Sequence, residues 1–189
     1  MHRLMTFLAR TTALAGGLVL MGLVILTTLS IIGRTLNKVL HGPGIQENFG
    51  GIAQALLATG VGEIQGNYEL LEAGVAFAIF SFFPICQLHG AHATVDVFTS
   101  FLPRRATRFI AAFWEIVLTA VLILLSWRLY EGMLRYVNNG ETTLFLQFPV
   151  WWAYAASFAA SVVTCIVAVY CAVARVGEAV MDRTILPSH

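Results

Sequence analysis

The chain has 189 residues, of which 58% are hydrophobic and 11% charged, against about 25% charged in a typical soluble domain. That balance, with a mean hydropathy of +0.79, excludes an ordinary water-soluble globule. Eleven Lys and Arg against ten Asp and Glu give a net charge of +1, which supplies neither a basic field for nucleic acid nor an acidic tail.

Four uncharged runs dominate the chain. The first, Thr11 to Gly33, holds 23 residues between Arg10 and Arg34; at about 1.5 Å per residue it makes roughly 35 Å of helix, enough to cross a ~30 Å hydrocarbon core. It exceeds the about 7–15 apolar residues of a secretory signal and ends at Arg34 with no small-residue cleavage pattern, so it reads as a retained span. The loop that follows is broken by Gly42, Pro43, Gly44, Gly50 and Gly51. Within it Ile52 to Leu57 is apolar but too short to cross, which leaves a short interfacial helix or a plain outer loop as readings.

The second run starts after Glu69 and Glu72 and extends from Ala73 to Val95, with Pro84 inside it as an expected kink. Phe109 to Trp127 is the third, interrupted by Glu115 alone, and Val150 to Ala174 the fourth, opened by Pro149. The spans are therefore about 11–33, 73–95, 109–127 and 150–174 in one membrane domain, 1–189. The fold class is all-α, polytopic, with four transmembrane helices.

Seven of the eleven basic residues fall at the two termini and in the middle loop (Arg3, Arg10, Arg104, Arg105, Arg108, Arg175, Arg183) and four in the other loops (Arg34, Lys38, Arg128, Arg135). By the positive-inside rule both termini face the cytoplasm. Trp114, Trp127, Trp151 and Trp152 lie near span ends, as interface anchors do.

Polar residues within the spans are few. His89, His92 and Asp96 share a helix face by spacing, either as metal ligands or as a hydrogen-bonded cap at the end of the second span; facing helices offer no further histidine for a haem. Cys86, Cys165 and Cys171 show no Cys-x-x-Cys pair and read as small apolar packers. Glu115 is the acid inside a span, a functional residue by default. It lies seven residues, about two turns, from Arg108 and is expected to pair with it or with another basic group. Glu69 and Glu72 stand at i and i+3, either as a solvated helix start or as a charged contact for another protein.

Several segments, taken in order, resemble the small membrane subunit of tripartite ATP-independent periplasmic (TRAP) transporters. They are Tyr68-Glu69-Leu70 before the second span, Gly90-Ala91-His92-Ala93-Thr94-Val95-Asp96 at its end, and Leu102-Pro103. Thr142-Thr143-Leu144 then leads to Phe148-Pro149 and Trp152. His89 and Thr94 stand where that family often has basic residues. The resemblance implies a structural component, not an enzyme, of a multi-pass complex in the bacterial inner membrane. It implies uptake of an organic acid or similar small solute by secondary active transport, or symport. A periplasmic binding protein would deliver the solute, and a large membrane subunit would carry the coupling ion, usually Na+. The present chain would bind no cofactor and no nucleic acid, and its contacts would be with the large subunit, the binding protein and membrane lipid. The family motif and partner-contact residues would be Glu69, Glu72, Gly90, His92, Asp96, Pro103, Glu115, Pro149 and Trp152. Two other classes compatible with a short four-span chain are a haem or redox membrane protein and a self-assembling pore or stand-alone carrier.

Overall fold

A computed structural model describes residues 2–42, 51, 62, 64–89 and 104–181. The expected interfacial helix at Ile52 to Leu57, and Gly90, His92, Asp96 and Pro103, lie outside the described residues. Among the described residues four helices form: α1 His2–Leu40, α2 Asn67–His89, α3 Arg104–Asn139 and α4 Val150–Met181. Each contains a stretch long and apolar enough to cross a membrane, and the sole β feature among these residues is one bridge, Thr142 to Pro149.

The helices outrun the apolar stretches that nucleate them. α1 has 39 residues, about 58 Å at 1.5 Å per residue, and must tilt or project beyond a ~30 Å core. Arg34 and Lys38 do not stop it, because a charge at the membrane interface costs a helix little; Gly42 and Pro43 follow its end. α3 likewise continues through Arg128 to Asn139 and stops at Gly140. Gly140 has φ +65° and its N–H reaches Tyr136 O at 3.1 Å, the left-handed cap that glycine tolerates best. α4 begins at Val150, directly after Pro149.

Packing order differs from chain order. α1 lies against α2, α2 against α4, and α4 against α3, with a smaller contact between α1 and α4. The result is an open row, α1–α2–α4–α3, in which α3 leans on α4 and reaches α2 through the Gln87–Glu115 contact. Gly16 of α1 faces Ala78 and Ser81 of α2, and Gly74 faces Leu23, so these two helices run antiparallel. A methyl group on Gly16 would come 2.6 Å from Ser81 Cβ, so the helix axes can approach this closely only with glycine there.

Where three helices meet, Met5 and Ala9 of α1, Leu88 of α2, and Val167 and Cys171 of α4 form the buried apolar cluster. Elsewhere large apolar side chains point outward: Leu14, Leu18, Ile25, Phe113, Leu124 and Val173 are each more than half exposed. In water such a surface would be prohibitive; against lipid tails it is the ordinary solvent-facing surface.

Hydroxyls inside the spans find carbonyls, as they must where no water competes. In α1 Thr12 donates to Leu8 O at 2.9 Å and Thr27 to Leu23 O at 2.8 Å. Between helices, Thr119 Oγ1 donates to Ala168 O at 3.3 Å. Ser161 Oγ donates to Phe158 O and lies 2.8 Å from Ser126 Oγ. With one hydrogen per hydroxyl, Ser126 is then the donor of that second bond.

Pro84 carries a consequence across the row. It is fully buried in α2 and has no N–H, which leaves the Phe80 carbonyl one turn earlier without its helical donor. Thr164 Oγ1 of α4 supplies one at 2.8 Å, sharing its proton with Ala160 O of its own helix at 3.0 Å. A local defect in α2 thereby fixes the register of α4.

Candidate functional site

Two polar clusters join α2 to the rest of the chain, one at each end of that helix. At one end Glu69 sits in the first turn of α2. Its two carboxylate oxygens accept the backbone N–H groups of Phe145 at 2.8 Å and Leu146 at 3.0 Å. An ionised carboxylate on two peptide N–H groups is a strong, orienting contact. The loop it grips is closed on itself by Thr143 N–H to Phe148 O at 2.9 Å and Val150 N–H to Glu141 O at 3.1 Å. Gln147 takes φ +53° within that turn, and Gly66, at φ +79°, leaves room for Leu146, whose Cγ would lie 2.5 Å from any Cβ there. Glu69 thus ties the first turn of α2 to the α3–α4 loop of its own chain.

Below this roof lies a cavity of about 400 Å³. Glu69, Glu72, Tyr136, Thr143 and Tyr154 line its upper part, and Ala73, Ala76, Leu129 and Ala153 are among the smaller and apolar groups of the remainder. The Tyr136 and Tyr154 rings are 4.9 Å apart, tilted by 36°, and Gly132 makes room for the Tyr154 ring. Trp151 and Trp152 meet edge to face at 6.0 Å just beside it, and Trp152 is exposed. Such a pair suits the headgroup level of a bilayer.

At the other end, Gln87 Nε2 of α2 donates to Glu115 Oε1 of α3 at 2.5 Å. The sequence pointed to a basic partner such as Arg108, whose side chain lies outside the described residues; the structure adds a neutral amide from another helix. Gln87 is buried, and 28 positions separate it from Glu115, so spacing along one helix could not find it. His89 Nδ1 lies 2.9 Å from Ile85 O, one turn back on its own helix. No group of three or more His, Cys, Asp or Glu among the described residues could hold a metal ion, and all three cysteines are free, with Cys171 buried. Cys165 Sγ lies 3.6 Å from Leu122 O.

Sequence reasoning also missed Thr164, Ser126 and the tyrosine pair. Thr164 had a signal, since a proline inside a membrane helix requires some donor for the carbonyl it orphans.

These bonds join apolar helices side by side, and an amphipathic cavity lies among them. The family model for tripartite ATP-independent periplasmic transporters, DctQ component, matches residues 50–177, which takes in α2, α3 and most of α4. No curated protein and no solved structure matches. The chain therefore belongs to the DctQ family, the small membrane component of tripartite ATP-independent periplasmic transporters.

Proposed function

We propose that this chain is the scaffolding subunit of a sodium-coupled transporter in a bacterial inner membrane. It flanks a large permease subunit that takes up an organic acid or similar solute from a periplasmic binding protein. The family match over 50–177 is the observation that carries this reading. The open row supports it, because four helices side by side leave long apolar faces for a second membrane protein. A moving carrier needs a fixed wall, and a row of helices widens that wall.

In this reading both termini are cytoplasmic, the α3–α4 loop and Glu69 face the periplasm, and the whole chain forms one domain. Coupling ions and substrate are handled by the large subunit, and this chain holds no cofactor. His92 and Asp96, with Gly90 and Pro103 on either side, set the turn into the middle loop where the large subunit packs. Pro149 and Trp152 place the start of α4 at the outer interface.

Copurification and transport test the proposal together. The tagged chain should bring down a far larger polytopic subunit, and proteoliposomes should accumulate solute only with both subunits, the binding protein and a sodium gradient. Transport by this chain alone would overturn the scaffolding role. Replacing His92 and Asp96 with Ala should lower the yield of the complex and leave solute affinity unchanged; altered affinity with intact assembly would contradict that assignment.

A further inference from the structure

The cavity beneath the α3–α4 loop has a polar upper part and an apolar lower part, at the level of Trp151 and Trp152. We propose that it is a lipid site that takes one phospholipid with an ammonium headgroup. Its size is the first argument. A volume of 400 Å³ lies within the ~300–1,000 Å³ of small-molecule sites, whereas a helix about 10–12 Å across would place barely one turn in it. An acyl chain with its glycerol end fits where a partner helix does not.

Charge is the second argument. Glu69 is committed to the loop N–H groups, but Glu72, one turn further along α2, also faces the cavity, and no described residue donates a hydrogen bond to it. A cation completes this wall. An ammonium group set between Glu72 and the Tyr136–Tyr154 pair would meet a carboxylate and an aromatic ring at once. A phosphatidylglycerol headgroup, with no cation, would set its phosphate against the carboxylates.

The third argument is depth. Ala73 and Ala76 on α2 oppose Ala153 and Ser157 on α4 across the lower cavity. Four small side chains there leave a slot that runs from the polar mouth toward the bilayer interior. In hydrocarbon such a slot is filled by lipid or by protein, because an empty one forfeits the dispersion contacts of its whole lining.

The test uses the full-length protein with any subunit that copurifies, in nanodiscs holding equal phosphatidylethanolamine and phosphatidylglycerol, released into native mass spectrometry. The wild-type chain should retain one phosphatidylethanolamine. Ala76→Trp and, from the opposite wall, Ala153→Leu should each lose it, with helix content unchanged by circular dichroism in at least one of the two. Glu72→Gln should keep a bound lipid but lower the preference for the amine headgroup about fivefold. Equal retention of both lipids by the wild type would overturn the proposal, as would undiminished retention in both cavity-filling variants. Loss of the large subunit with the lipid still bound would also overturn it and assign the slot to protein.

Discussion

α1 and α4 are both long and apolar, with their charged residues toward the helix ends, yet they hold opposite places in the row. In the most apolar 18 residues of each, 17% of α1 is buried against 44% of α4. α1 touches its neighbours along a narrow seam of Ala9, Gly16, Leu23 and Ser30, each seven residues from the next. α4 buries a broad stripe, Ser157, Ala160, Ser161, Thr164, Val167, Ala168 and Cys171. In water the more hydrophobic helix goes to the centre. In lipid hydrophobicity does not discriminate, and the helix with small and hydroxyl side chains goes to the centre because only it permits close approach and polar contacts on both sides.

The seam on α1 gives the sharpest way to break this contrast. Gly16→Leu should destabilise the folded chain by about 3 kcal/mol or force α1 away from α2. Gly17→Leu, one residue on and facing open space, should change thermal unfolding in detergent little. Equal effects of the two substitutions would remove the seam. At the far side of the row, Gln87→Leu leaves the Glu115 carboxylate without its amide donor from α2 and should cost about 1–2 kcal/mol, read as the shift of the chemical unfolding midpoint in mixed micelles.

Thr164→Val tests the centre itself. It should cost about 1 kcal/mol, because the Phe80 carbonyl loses its donor. In a Pro84→Ala background α2 regains its own N–H for that carbonyl, so the same substitution should then cost measurably less; a double-mutant cycle with no coupling would contradict the account. The smallest global effect is expected from Glu69→Ala. Stability should hardly move, while amide exchange at Phe145 and Leu146 rises several-fold as the loop loses its anchor; unchanged exchange at those two amides would show that the loop holds without it.

What the sequence made legible was set by local rules. Charge gaps such as Arg10 to Arg34 marked the spans, and Pro149 marked the start of α4, because both act over a few residues. Helix ends were less legible: hydropathy falls at Arg34 and Arg128, but the backbone continues until Gly42 and Gly140 interrupt it. Lateral order was hidden for a physical reason, since every span is apolar on all sides and carries no stripe that points to a core. The small residues from Ala155 to Ser161 held the clue to a central α4. The site was hidden further, because its bonds join residues 76 and 77 positions apart, as Glu69 with Phe145 and Leu146, or a charged group with a neutral one, as Glu115 with Gln87.

The open row is the central claim, and one distance tests it. Leu18 of α1 and Leu124 of α3 are exposed apolar positions at similar depth, since α1 meets α2 at Gly16–Ser81, α2 meets α4 at Phe80–Thr164, and α4 meets α3 at Ser161–Ser126. Spin labels at Leu18→Cys and Leu124→Cys would be placed in a chain whose Cys86, Cys165 and Cys171 are replaced, and measured by electron paramagnetic resonance in a bilayer. With neighbouring helix axes about 8–10 Å apart, a row places α1 and α3 about 20 Å or more from each other. A separation near 10 Å would mean that α1 and α3 pack together in a closed four-helix bundle, and would contradict the account.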